Sequence, residues 1–133
     1  MKRPDGLCDL VIVVRDLQDS IRFYRDLLGL EPEAPPGDQW AWFYSGAVGT
    51  SPRFALTTAT LLFEEHSSLP EGARFGPSHY AFKAHREDLP TIVQRMEQAG
   101  VTVHGPQRLD WMLAEAHYMH DPDDNLVELW TPD

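Results

Sequence analysis

Positive charge is scarce in this 133-residue chain: 11 lysines and arginines stand against 21 aspartates and glutamates, a formal charge of -10. Such a surface repels phosphate backbones and anionic headgroups, so nucleic acid and membrane surfaces are excluded as partners. Anionic small molecules are disfavoured too, outside a local basic pocket. Cysteine is scarcer still: Cys8 is alone, so no intramolecular disulfide can form, and a reducing compartment fits. Long apolar runs are also missing, and no segment approaches transmembrane length. The opening Met1-Lys2-Arg3-Pro4-Asp5 has no signal-like apolar core, because the run after it is interrupted by Asp9. These absences lead to the expectation of a soluble, cytoplasmic protein.

What is present is an ordinary globular balance, 42% hydrophobic and 24% charged, in a length that gives one compact domain or two tightly joined modules. The chain carries an internal repeat. Asp9-Leu10-Val11-Ile12-Val13-Val14 is an apolar, β-branched run that leads through Arg15-Asp16 into a helix-period segment ending at Gly29. His79-Tyr80-Ala81-Phe82-Lys83-Ala84 leads through His85-Arg86-Glu87-Asp88 into a second such segment ending at Gly100. Asp9 to His79 is an offset of 70 and Gly29 to Gly100 one of 71, so one extra residue separates strand from helix in the second copy.

In chain order, the first strand covers roughly Cys8 to Val14. Asp16 is the N-cap of a helix whose stripe is Ile21, Tyr24, Leu27 and Leu28, with Gly29 as its left-handed stop. The proline-rich stretch from Glu31 to Gly37 reads as a loop. Trp40 to Tyr44, Arg53 to Thr57 and Ala59 to Glu64 read as three short strands of a meander. The second half repeats the order, with a strand at His79, a helix from about Asp88 to Ala99, and strands near Val101 to Val103, Ala114 to Met119 and Leu126 to Trp130. The expectation is an α+β fold of two β-α-β-β-β modules, 1–66 and 78–133, joined by a connector at 67–77. Their sheets curl into a half-open mixed-sheet barrel with helices outside. Alternation puts His79, Ala81 and Lys83 on one strand face and Tyr80, Phe82 and Ala84 on the other. In the last strand Glu128 is an acid among large apolar residues; a buried carboxylate without a partner is costly, so it is exposed, paired or metal-bound.

Three stretches carry a family resemblance: residues 16–30, Ser78-His79-Tyr80-Ala81-Phe82, and Asp121-Pro122-Asp123-Asp124-Asn125-Leu126-Val127-Glu128-Leu129. Together they resemble the vicinal oxygen chelate superfamily, which includes glyoxalase I, fosfomycin-resistance enzymes, extradiol dioxygenases and bleomycin-resistance proteins. The resemblance runs through nearly the whole chain in the right order. It implies a divalent metal (manganese, iron(II), zinc or magnesium) held by Asp9, His79 and Glu128. It implies a homodimer, in which one cup draws modules from one chain or from two. By the same resemblance Tyr118 orients a small-molecule substrate, and Glu64 or His66 moves protons.

This chain departs from the family's patterns in several places. Asp9 stands where the metal enzymes carry His, Gln or Glu. Val11 stands where fosfomycin enzymes carry a hydroxyl. Only Arg53 and Lys83 are available on inner strands for glutathione carboxylates. Asp9 also breaks the two-histidine, one-carboxylate set of the dioxygenases. Two functions follow as expectations. One is a metal-dependent enzyme (lyase, isomerase or dioxygenase-like) acting on an oxygen-bearing molecule through Lewis-acid stabilisation. The other is a metal-free module that sequesters a small aromatic or cationic compound, with Asp9 and His79 as an ion pair and Trp40, Trp42, Phe54, Trp111 and Tyr118 around the cup.

Overall fold

The structure, a computed structural model, describes residues 1–66 and 78–133; the connector expected at 67–77 lies outside the described residues. The first half contains β1 (Asp9–Val13), α1 (Leu17–Ile21), β2 (Trp40–Tyr44) and β3 (Arg53–Thr57). The second contains β4 (His79–Lys83), α2 (Leu89–Gln98), β5 (His104–Leu109), β6 (Ala114–His120) and β7 (Leu126–Pro132). The sheets are ordered β1-β3-β2 and β4-β7-β6-β5. In both halves the first strand lies parallel to the last, and the last pairs antiparallel with the one before it. This is the mixed α+β, two-module architecture expected, with each sheet open rather than closed into a barrel.

The repeat is more faithful than the meander reading allowed. The strand expected over Ala59 to Glu64 does not form; Glu64–His66 is a single 3-10 turn instead. Thr57 ends β3 by accepting from the Ala59 amide through Oγ1 at 3.0 Å. Phe63 then takes a positive φ of 62°, a conformation foreign to a strand. The missing fourth strand of the first half lies earlier, where Pro32 bridges Phe43. It is flanked by Glu33 N to Trp42 O at 2.9 Å and Tyr44 N to Glu31 O at 3.0 Å. Pro32 cannot donate to a ladder, so this segment stays a rudiment at the sheet edge. It occupies the place that β5 takes in the second half.

The helices and edges show two further departures. Asp16 caps α1 as expected, accepting from the Asp19 amide at 2.9 Å, but the helix widens into a π-turn over Arg22–Leu27. Leu28 N reaches back to Phe23 O at 2.9 Å. The extra residue per turn lets consecutive Phe23 and Tyr24 both face inward, where a 3.6-residue period selects only Tyr24. The strand expected at Val101 to Val103 is instead a coil whose two valines pack against the core. The strand begins at His104 and is bulged between His104 and Gln107, which an edge position tolerates around Pro106.

The core lies between the back faces of the two sheets and the helices. Leu10, Ile12 and Val14 point into it from the first half, as do Tyr80, Phe82 and Ala84 from the second. Phe54 is the hinge of this packing. Its ring stands 4.9 Å from Tyr24, 5.7 Å from Tyr80 and 5.5 Å from Phe82, and its burial contributes roughly 2–3 kcal/mol. Phe54 therefore belongs to the core rather than to the cup. Because back faces meet, the two front faces are left free to carry other chemistry. Among the described residues no helix is long and apolar enough to cross a membrane.

Candidate functional site

Register decides which side chains share the front of the second sheet. Ala81 pairs with Glu128, Glu128 with Tyr118, and Tyr118 with His104; His79 and Leu126 lie one step along the same face. Glu128 is only 7% exposed. Its Oε1 stands 3.6 Å from His79 Nε2. Tyr118 faces the same carboxylate across the strand pair, and its ring lies 6.4 Å from that of His79. Burial first, and then the neighbouring Glu128 carboxylate, raise the Tyr118 pKa above the ordinary tyrosine value, so the hydroxyl keeps its proton.

The other ring nitrogen of His79 fixes the tautomer. Nδ1 lies 3.1 Å from the Leu126 carbonyl oxygen, which can only accept, so Nδ1 carries the proton. Nε2 then stands toward Glu128, 3.6 Å from Oε1. A backbone carbonyl on the far nitrogen is the usual way a metal-binding histidine is oriented. An imidazole nitrogen and a carboxylate oxygen side by side are of the types that ligate divalent cations.

Asp9 is elsewhere, on the front of the first sheet. Its register partner is Arg53, whose Nε and Nη2 reach Oδ1 and Oδ2 at 2.8 and 3.2 Å. Arg53 also touches Glu33 at 3.4 Å and lies over Trp42, 4.6 Å from its ring centroid. Trp42 is stacked on Trp40, 5.7 Å apart and within 6° of parallel. Among the described residues no three His, Cys, Asp or Glu side chains stand close enough together to hold a metal ion. One chain therefore brings together His79, Glu128 and Tyr118, and not Asp9.

With no strand over Ala59 to Glu64, Glu64 and His66 lie on the 3-10 turn. His66 is exposed on the 3-10 turn, 3.6 Å from Glu65, and neither it nor Glu64 shares a strand face with His79 and Glu128. Trp111 is 79% exposed on the turn between β5 and β6.

Comparison with known proteins decides the lineage. The family model described as the Glyoxalase/Bleomycin resistance protein/Dioxygenase superfamily matches residues 7–129. The chain belongs to this superfamily. Among its relatives is a protein named glutathione transferase FosA, from Serratia marcescens. It is 32% identical over 124 residues, covering 93% of this chain and 79% of the relative. An integron cassette protein from V. cholerae superposes with a TM-score of 0.73 at 24% identity, covering 100% of this chain and 99% of that one. The fosfomycin resistance protein FosX of Listeria monocytogenes, solved with Mn(II) and sulfate, superposes at 0.70 with 18% identity, covering 98% and 93%.

Sequence reading missed the interaction that ties the superfamily member's turn 121–125 to its helix. Asp121 Oδ1 accepts from the Asp123 and Asn125 amides, both at 2.9 Å. Its Oδ2 accepts from Tyr24 at 2.6 Å, Asn125 Nδ2 at 2.9 Å and Tyr80 at 3.3 Å. The signal available was weak: a tyrosine on an apolar helix stripe and an aspartate opening a turn, 97 residues apart.

Proposed function

We propose that the protein is a divalent-metal-dependent enzyme acting on a small oxygen-bearing molecule, in a cup assembled from two copies of the chain. The observation that carries this reading is the nearly buried Glu128 carboxylate with Oε1 3.6 Å from Nε2 of His79, a ring whose Nδ1 is held by the Leu126 carbonyl. His79 and Glu128 would hold the metal, with Asp9 of a second copy as third ligand. One nitrogen and two carboxylates suit manganese, iron(II), zinc or magnesium. The manganese in the Listeria structure and the name of the Serratia relative lend support to this reading.

A bound cation would supply Lewis-acid stabilisation of negative charge developing on a substrate oxygen. The protein's own groups do the rest. The Leu126 carbonyl holds the His79 ring so that Nε2 stays aimed at the site. Tyr118 keeps its proton and steadies Glu128. A hydroxyl placed there can also turn to a substrate oxygen once Glu128 is otherwise engaged.

Two copies are invoked because one chain leaves both sheet fronts open and keeps Asp9 apart from the other donors. Sedimentation should give a dimer. Purified protein should bind one Mn(II) per chain in calorimetry, and His79→Ala and Glu128→Gln should abolish binding. Metal-loaded protein should then turn over a compound from a panel of epoxides, vicinal diketones and catechols, offered with and without a thiol. Unchanged binding in both variants refutes the reading. A second reading, metal-free sequestration of a flat cationic compound, is favoured by the stacked Trp40–Trp42 shelf alone. Quenching of tryptophan fluorescence by such a compound in chelator-treated protein distinguishes it.

A further inference from the structure

The scarce positive charge of this chain is almost all spent. Arg15, Arg22, Arg25, Arg53, Arg86 and Arg108 each stand within ion-pair distance of a carboxylate, and Arg95 donates to the Leu27 carbonyl. Lys83 is different. It is exposed at the end of β4, and no carboxylate among the described residues pairs with it. Register places it on the front of the second sheet, directly opposite Trp130 and two residues beyond Ala81, the partner of Glu128. Its strand position is therefore about 6.6 Å along the face from that of Glu128. The same face carries His79, His104, His120 and the Tyr118 hydroxyl, with the His104 and His120 rings 6.5 Å apart. Glu128 is the one acid among the described residues of this face, and it is nearly buried. What a ligand meets here is an ammonium, ring nitrogens and a hydroxyl, on a chain whose formal charge is -10. An unpaired ammonium draws an anion to such a patch against the overall charge, because physiological salt screens charges more than about 8 Å away.

We propose that this face is an oxyanion-binding site: Lys83 takes the acidic group of a small ligand, and His79, Tyr118 and Glu128 meet a second oxygen function one row away. The ligand is thus a short acid bearing a hydroxyl or carbonyl group, with carboxylate and phosphate as the two headgroups that share this chemistry. This names the substrate class of the reading above and rests on that reading for the second oxygen function. The hold of Lys83 on the anion needs neither a metal nor a second copy.

The test titrates L-lactate and, separately, methyl phosphate into the chelator-treated full chain and follows backbone amide shifts by NMR. Shifts should gather on β4 and β7 around Lys83, and the tighter of the two probes identifies the headgroup. Lys83→Gln should weaken binding about fivefold, the measure of a charge-assisted contact near the surface. Lys83→Arg should restore it. Lactamide, the neutral amide of lactate, should bind the unaltered chain no better than lactate binds the glutamine variant. The proposal is overturned if Lys83→Gln binds as the unaltered chain does, if lactamide matches lactate, or if neither probe shifts β4 and β7. Lactate held through Lys83 upholds it even if no Mn(II) binds, a result that sinks the metal reading alone. Mn(II) bound with no anion held at Lys83 sinks the proposal and leaves the metal reading standing.

Discussion

Glu128→Gln should move stability in opposite directions with and without metal. In the metal-free protein the buried Glu128 carboxylate faces Tyr118 across the strand pair, and its Oε1 stands 3.6 Å from His79 Nε2. A glutamine of the same shape turns its carbonyl oxygen toward Tyr118 and an amide N–H toward His79. This removes a buried charge and leaves a neutral amide that can donate to the ring nitrogen. The gain is about 1–2 kcal/mol, or roughly 3–8 °C in melting temperature for a chain of this size. With Mn(II) at about a hundred times its dissociation constant, the unaltered protein gains about 2.7 kcal/mol by mass action, and the glutamine variant, lacking an anionic ligand, gains nothing. Differential scanning fluorimetry in chelator and then in excess Mn(II) should therefore show the two melting curves exchanging order. Chelator-treated Glu128→Gln that melts below the unaltered protein would refute the reasoning, because Glu128 would then be a structural ion-pair partner of His79.

Three further outcomes follow from the described geometry. Chemical denaturation should rank Asp121→Ala, Tyr24→Phe and Tyr80→Phe in that order. The first leaves three backbone or amide donors and one tyrosine hydroxyl proton without an acceptor, for more than about 3 kcal/mol; the second removes a short bond to a charge, for about 1.5–3; the third removes the 2.7 Å bond to the Tyr24 hydroxyl and a long one to Asp121, for about 0.5–1.5. Desolvation raises the pKa of both Tyr24 and Tyr80 well above that of an unfolded tyrosine. Their contribution is thus complete below about pH 10 and is lost as pH rises past it. The urea midpoint should fall as pH rises past about 10, less steeply in Tyr24→Phe. Gly105→Ala should cost about 2–4 kcal/mol, because φ is +125° and a Cβ would meet the Ala116 carbonyl oxygen at 2.7 Å.

Those elements whose signal is local were legible in the sequence. Trp40–Tyr44 and Arg53–Thr57 form as read, and the alternation that hides Tyr80 and Phe82 while turning His79 outward is the alternation observed. Asp16 announces its helix through a side chain that needs only the next turn. What failed was non-local or conformational. Leu61-Leu62-Phe63 has the composition of a strand, but the edge beside β2 is already taken by Pro32, and the chain turns away. Phe23 is buried through a π-turn that no apolar period encodes. At the site, His79 and Glu128 were grouped only through the family resemblance, and the pairing of β4 with β7 is what sets them on one face. The engagement of Asp9 was not legible, because Arg53 lies 44 residues away and its partner depends on which residue of β3 sits opposite β1.

The two halves descend to the same strand order but put different chemistry on equivalent faces. At corresponding register positions the first half sets Asp9 beside Arg53, and the second sets His79 beside Leu126. The first half is therefore self-neutralised and backed by stacked indoles, a surface for holding a ligand. The second sets a histidine and a nearly buried carboxylate side by side, 3.6 Å apart. Neither face completes a site by itself, and the chain packs them back to back around Phe54. Joining a first-half face to a second-half face thus requires a second copy. That meeting would set Asp9 against Glu128, two carboxylates that cannot approach without a positive charge between them.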